Sequence, residues 1–110
     1  MSFYLVVCRV GETREYIPET HLGVDTTRED VINDLMSGAY DRPLRVLEIS
    51  EPRNVLCGWV LDVSETIALE ILRRSMARNF GLEEWSRRRD LQNFCEEHAG
   101  VATFNEAFAA

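Results

Sequence analysis

Apolar runs in the first half of the chain predict strands. Residues 3–8 read Phe-Tyr-Leu-Val-Val-Cys, an unbroken run rich in aromatic and β-branched side chains that is typical of a buried strand. Gly11 then permits a turn. We expect residues 15–17 to return as a second strand that ends at Pro18, because proline cannot donate a hydrogen bond to a sheet. Residues 44–49 form the next apolar run and predict a further strand.

A helix is predicted over residues 27–37, between the first strands and the run at 44–49. Thr26 and Glu29 have the spacing of a capping box, in which a hydroxyl and a carboxylate three residues apart satisfy backbone N–H groups at the helix start. Gly38 fits the left-handed residue that commonly ends a helix. The apolar residues between these signals share one helical face and are Val31, Ile32, Leu35 and Met36.

The stretch from residue 51 to residue 61 has two interpretations. Residues 51–54, Glu-Pro-Arg-Asn, suit a tight turn, because proline presets the backbone angle at its second position. Residues 55–61 then return as a hairpin partner of strand 44–49, with Gly58 at a bulge. In the alternative they form an irregular connection, because glycine weakens a strand.

A second helix is expected after residue 62. Asp62 and Ser64 both qualify as its N-cap, and Asp62 and Glu65 have the spacing of a capping box. We expect this helix to end at Gly81. Its apolar stripe is Leu69, Leu72, Met76 and Phe80, widened by Ile67 and Ile71.

A third helix is predicted over residues 82–98 and ends at Gly100. Because it follows the second helix directly at Gly81, the two are expected to form an αα-hairpin. Its apolar positions are Leu82, Trp85, Leu91, Phe94 and Cys95. Residues 101–110 carry two phenylalanines four positions apart, which fits either a short docked helix or a frayed tail.

The predicted order of elements is ββαββαα or βαββαα. It indicates an α+β fold, in which a small antiparallel sheet of three or four strands is covered by helices and the chain ends in the αα-hairpin. We expect the 110 residues to form one domain, because domains usually contain roughly 100–200 residues. No basic residue precedes the first short apolar run, so we expect no signal peptide, no membrane association and a cytoplasmic location.

All twelve basic residues are arginine, and the absence of lysine removes several reaction classes. A P-loop needs lysine to reach the phosphates, and Schiff-base and pyridoxal chemistry need its amine. The glycines form no Gly-x-Gly-x-x-Gly stretch, so a Rossmann phosphate loop is not supported. We therefore expect no cofactor.

The formal net charge of −7 works against binding to nucleic acid or to an anionic membrane. The charge is unevenly distributed, because six arginines against two glutamates give +4 between Arg73 and Arg89 and leave −11 for the rest of the chain. The planar fork of arginine suits phosphate and carboxylate, so this cluster is a candidate anion-binding site. Its candidate residues are Arg74, Arg78, Arg87, Arg88 and Arg89.

A solvated, ion-paired surface is the favoured interpretation of the same arginines. Glutamates precede three of them by four residues, which is the favourable order on a helix, and each such pair contributes only about 0.2–0.5 kcal/mol. The three pairs are Glu70–Arg74, Glu83–Arg87 and Glu84–Arg88.

Three cysteines and two histidines are spread along the chain. Cys95 and His98 lie three residues apart on a predicted helix, but a structural zinc site needs four ligands, so we expect no metal. Cys57, with His21 or His98 as a base, is the best candidate nucleophile. Its apolar sequence neighbours indicate burial, which makes a thiol inert, so we assign no catalytic residue.

Four aromatic residues dominate the C-terminal third, namely Trp85, Phe94, Phe104 and Phe108. Core packing is their default role, but a domain of this length has a limited interior, so part of the set is expected to contact a protein partner or a second copy. The preferred function is a small, acidic, non-catalytic module for protein interaction or regulation. The alternatives are binding of an anion or nucleic acid through the arginine cluster, and a small enzyme with an unrecognised Cys/His site.

Overall fold

Four strands form one antiparallel sheet in a computed structural model of the chain, which describes residues 2–18, 26–50 and 60–109. The order across the sheet is β2-β1-β3-β4, so the two long strands are central and the two short ones lie at the edges. The strands are β1 (Ser2–Val10), β2 (Arg14–Tyr16), β3 (Pro43–Ser50) and β4 (Val60–Asp62). The predicted return of residues 55–61 is described only in its last part, because residues 51–59 lie outside the described ranges.

Within these described ranges five helices accompany the sheet, and the predicted α+β class is confirmed. They are α1 (Arg28–Ser37), α2 (Ser64–Ala77), α3 (Leu82–Arg87), α4 (Arg89–Ala99) and α5 (Val101–Ala109). The longest of them, α2, has 14 residues, and none of the described helices combines the length and apolarity needed to cross a bilayer.

The hydrophobic core lies between one face of the sheet and the helices. Val6 and Cys8 on β1 and Val46 on β3 supply the sheet side, because side chains alternate between the two faces of a strand. The helices supply apolar residues that are at most 5% exposed, namely Val31, Ile32, Leu35, Met36, Ile67, Ala68, Ile71, Leu72, Trp85, Leu91, Phe94, Cys95 and Phe104. The periodic positions expected on the helices therefore form most of the core.

The capping box of α1 begins one residue later than the sequence indicates. Thr27 is the N-cap: its hydroxyl accepts from the Asp30 backbone N–H at 3.1 Å, and the Asp30 carboxylate accepts from the Thr27 N–H at 3.3 Å. Thr26 is buried instead, and its carbonyl accepts from the Tyr4 N–H on β1 at 3.0 Å. Pairing with the sheet therefore displaces the cap by one position. Gly38 ends the helix with φ of 82°, as predicted.

The start of α2 is held to β3 by hydrogen bonds around Val46. The buried Ser64 hydroxyl accepts from the Val46 N–H at 2.8 Å, and the Val63 N–H donates to the Val46 carbonyl at 3.0 Å. The Asp62 carboxylate accepts from the Ser64 N–H at 2.9 Å. Both cap candidates predicted from the sequence thus contribute to this junction. The Ser64 hydroxyl, however, binds a backbone N–H of β3 and does not cap the first turn of α2.

The helix predicted over residues 82–98 is broken at Arg88, which separates α3 from α4. Arg88 leaves the helical conformation with φ of −120° and ψ of 51°. Its guanidinium donates to the Met36 carbonyl at the end of α1 and lies 5.2 Å from the centre of the Phe80 ring. These tertiary contacts stabilise a break that helical periodicity does not reveal. Residues 101–109 form α5, which buries Phe104 against the other helices.

Replacing Ser64 with alanine tests the junction between β3 and α2. The S64A variant leaves the buried Val46 N–H without its acceptor, so we expect the free energy of unfolding to fall by about 1–3 kcal/mol in a denaturant titration. Ser86→Ala is the matched control, because the Ser86 hydroxyl donates to a carbonyl on an exposed turn of α3, and we expect a change within about 0.5 kcal/mol. Equal losses in the two variants would contradict the role of Ser64.

Candidate anion-binding cleft

A cleft of about 500 Å³ opens between the end of α1 and the break that separates α3 from α4. Its buried lining is Pro43 together with Leu35, Tyr40 and Leu91, and the last three also belong to the hydrophobic core. Its more exposed lining includes Glu84, Asp90 and the three consecutive arginines Arg87, Arg88 and Arg89. The cleft therefore combines an apolar interior with a charged rim.

The helix break explains how three neighbouring arginines line one cleft. On a continuous helix, successive side chains point about 100° apart and cannot converge. Here Arg87 ends α3, Arg88 leaves the helical path and Arg89 begins α4. The break therefore redirects the chain at the point where the three arginines follow one another.

Arg88 is fixed by several contacts. Besides the Met36 carbonyl and the Phe80 ring, it reaches the Glu84 carboxylate, with 3.4 Å between Nε and Oε2. The Met36 carbonyl belongs to the last turn of α1, where carbonyls lack helical partners, so a guanidinium there satisfies a backbone acceptor. Arg88 thus holds the walls of the cleft together, and fewer of its N–H donors are left for a ligand.

Arg87 and Arg89 are more accessible. The Arg87 guanidinium pairs with Glu83 and lies 3.8 Å from Glu84, and 63% of its side chain is exposed. Exposed pairs of this kind contribute only about 0.2–1 kcal/mol, so a ligand anion can compete for Arg87. Arg89 is exposed and its side chain has no ion pair or hydrogen bond within the described residues.

The residues that line the cleft include more arginines than carboxylates although the protein is acidic. Three arginines face two carboxylates there, and the Asp90 carboxylate is partly occupied by the backbone N–H of Arg42, at 3.2 Å. A second cleft of about 190 Å³ shares Pro43 and Asp90 with the first, and its other charged lining residues are Arg9, Arg42 and Glu97. This corner of the molecule therefore concentrates guanidinium groups.

The other two predicted anion-binding residues lie outside this cleft. Arg74 joins α2 to α1, with its guanidinium 2.7 Å from the Glu29 carboxylate and 3.5 Å from that of Glu70. It is an interhelical ion-pair partner. Arg78 is exposed at the end of α2, and it forms no ion pair within the described part of the chain.

Glu70 binds two arginines on the surface of α2. Hydrogen bonds from Arg73, at 2.6 Å, and the nearby Arg74 charge lower the pKa of the Glu70 carboxyl to about 2. Only 16% of the Glu70 side chain is exposed, which partly shields it from competing water. The favoured interpretation of paired arginines thus describes Arg73 and Arg74 well.

Three members of the predicted aromatic set pack in the core. Trp85, Phe94 and Phe104 are 3%, 1% and 4% exposed. The Trp85 ring makes edge-to-face contacts with Phe80 and Phe104, at centroid distances of 5.4 and 4.9 Å. Packing within the chain accounts for these three rings, so an interface role for them stays a prediction. Phe108 lies on α5, but its side chain is outside the described part of the structure.

The described thiols are buried and unreactive in character. Burial raises the pKa of Cys8 to about 11 and that of Cys95 to about 12. His98 does not share a site with Cys95: its Nε2 hydrogen-bonds to the Leu44 carbonyl, and its ring stacks at a tilt on Phe94, 4.7 Å away. Cys57 and His21 lie outside the described residues. Within the described residues, no three His, Cys, Asp or Glu side chains come together in a way that could hold a metal ion.

Sequence reasoning placed the arginines but missed the rest of the cleft. Tyr40 and Pro43 belong to the connection between α1 and β3, and nothing in their local pattern predicts that α3 and α4 pack beside it. The run of three arginines after a short amphipathic segment was the available signal. Searches against protein-family models, curated proteins and solved structures find no match to this chain.

The lowered pKa of Glu70 predicts acid sensitivity with a defined sign. A carboxyl whose pKa is lower in the folded state contributes stability that is present above about pH 4.5 and is lost as pH falls through about 2. We therefore expect Glu70→Gln to destabilise the protein near neutral pH and to have little effect at about pH 2. Urea titrations at both pH values measure this. Glu106→Gln, at an exposed carboxylate with no described ion pair, is the control and should show no such pH-dependent difference.

Proposed function

We propose that the protein is a non-catalytic module that binds a small anionic ligand in the cleft between α1 and the α3–α4 break. The observation that carries this proposal is the placement of Arg87, Arg88 and Arg89 on one cleft in a chain of net charge −7. A volume of about 500 Å³ lies within the usual range for small-molecule sites, which is about 300–1,000 Å³. A regulatory role in the cytoplasm fits this function, and the free thiols of Cys8 and Cys95 suit a reducing compartment.

The chemistry of the lining indicates the kind of ligand. Arginine binds carboxylate and phosphate through two parallel N–H donors, so Arg89 and Arg87 would hold the anionic group. Leu35, Tyr40 and Leu91 would contact an apolar part of the same molecule. Arg88, already engaged at the Met36 carbonyl, would keep the two accessible arginines in place.

A compact anion suits this cleft better than a nucleic acid does. A polyanion needs an extended basic surface, whereas Glu84 and Asp90 lie at the rim and the remaining surface is acidic. A molecule with one or two negative groups avoids most of that repulsion. Protein interaction is the second candidate function, and the exposed side chains of Leu69 and Met76, which line one groove beside α5, favour it.

Titration with citrate and with inorganic phosphate tests the proposal. We expect backbone amide NMR signals of residues around the cleft to shift with either probe, and the apparent affinity to fall with added salt. Arg89→Gln removes the least engaged guanidinium, and we expect it to weaken binding about 10-fold or more.

Arg73→Gln is the matched control for this titration. It removes another exposed arginine, whose side chain is 68% exposed and pairs with Glu70 away from the cleft, so binding should persist. No shifts around the cleft at millimolar citrate or phosphate, or an equal loss in the two variants, would contradict the proposed site.

A further inference from the structure

Two opposite charges without an ionic partner adjoin each other on the cleft between α1 and the α3–α4 break. Arg89 and Asp90 are consecutive at the start of α4, and both line the cleft. Arg89 is exposed and Asp90 is partly exposed, and neither side chain forms an ion pair within the described ranges. A ligand with an anionic group alone would therefore satisfy Arg89 and be repelled by Asp90.

The two carboxylates at the rim are not equivalent. The Glu84 carboxylate is engaged by arginine, with 3.4 Å to Arg88 and 3.8 Å to Arg87. Asp90 instead accepts one hydrogen bond in the described chain, from the Arg42 backbone N–H to Oδ2 at 3.2 Å. An ionised carboxylate has about four acceptor sites on its two oxygens. Asp90 is thus the rim carboxylate that is open to a cationic group of a ligand.

The position of Asp90 is fixed from the sheet side. The Arg42 carbonyl accepts from the Arg9 N–H on β1 at 3.0 Å, and the Arg42 N–H donates to Asp90. The carboxylate therefore joins the first turn of α4 to the connection that precedes β3. An acceptor held in this way loses little freedom when it binds a further donor, which favours affinity.

The interior of the cleft is apolar behind this mixed rim. Four buried residues line it, namely Leu35, Tyr40, Pro43 and Leu91. An apolar group of a ligand gains free energy when these side chains remove it from water. The cleft thus presents a cationic donor, an anionic acceptor and an apolar interior to the same small molecule.

We propose that the ligand of this cleft is a zwitterionic α-amino acid with an apolar side chain. Its carboxylate binds Arg89, with Arg87 beside it, and its ammonium group binds Asp90. Its side chain contacts Leu35 and Leu91. This inference rests on the proposed anion-binding function and names the class of ligand that the same site takes.

Other charge patterns match the rim less well. A dianion brings a second negative charge toward Asp90, and a simple cation meets three guanidinium groups. An α-amino acid carries its two opposite charges on one carbon atom, and the cleft carries its two unpaired opposite charges on consecutive residues. The zwitterion therefore satisfies both Arg89 and Asp90.

Calorimetric titration with phenylalanine and with hydrocinnamate tests the proposal. The two probes share the ring, the chain and the carboxylate, and they differ only in the ammonium group. We expect the unmodified protein to bind phenylalanine at least about 10-fold more tightly, because a charge-assisted hydrogen bond to Asp90 is gained. Asp90→Asn should reduce this preference to about onefold. Its amide oxygen still accepts from the Arg42 N–H, so the variant should keep the circular dichroism of the folded chain.

Glu97→Gln is the matched control. Glu97 is an exposed carboxylate on the same helix, and it lines the second cleft but not the first. This variant should keep the preference for phenylalanine. An equal loss of preference in the two variants would overturn the role of Asp90, since the overall charge would then explain the effect.

The unmodified protein separates this proposal from the function on which it rests. Equal affinity for the two probes would overturn the amino-acid assignment and leave the anion site standing. The assignment also fails if neither probe binds while citrate or phosphate shifts the amide signals around the cleft. If citrate and phosphate produce no shifts either, the anion site fails with it.

Discussion

The guanidinium of Arg88 forms the contact on which the helical layer and the cleft both depend. It donates to the last turn of α1, lies over Phe80 and reaches Glu84, and so joins three separate parts of the chain at one point. A helix interrupted in its middle loses backbone hydrogen bonds, and these contacts compensate for that loss. The same interruption turns α4 toward the sheet, where Phe94 and Cys95 become buried.

Local patterns in the sequence predicted the fold well because they reflect short-range physics. The apolar run at 3–8, the stripe in α1 and the left-handed Gly38 each depend on residues a few positions apart, and each has its counterpart in the structure. The shift of the cap from Thr26 to Thr27 and the break at Arg88 depend on Tyr4 and Met36, which are far away in the chain. Periodicity carries no information about such contacts.

The candidate site shows the same division. The excess of arginine near residue 88 was visible in the sequence, but helical spacing alone could not separate Arg74, which pairs between helices, from Arg89, which lines the cleft. The size of the interior was the second property that the sequence did not reveal. Short helices on one sheet provide enough interior to bury Trp85, Phe94 and Phe104. The large apolar residues that stay exposed in the described chain are therefore not these aromatic rings but aliphatic side chains on both layers, such as Val60 on β4 and Leu69 and Met76 on α2.

The two described cysteines are both buried, so the rate at which their thiols are modified reports how often the domain opens. Cys8 lies in a central strand and Cys95 in the helix packed above the sheet, and both are fully inaccessible. An alkylating reagent can reach either sulfur only when the sheet and the helical layer separate, so the rate of thiol modification follows the opening of the whole domain.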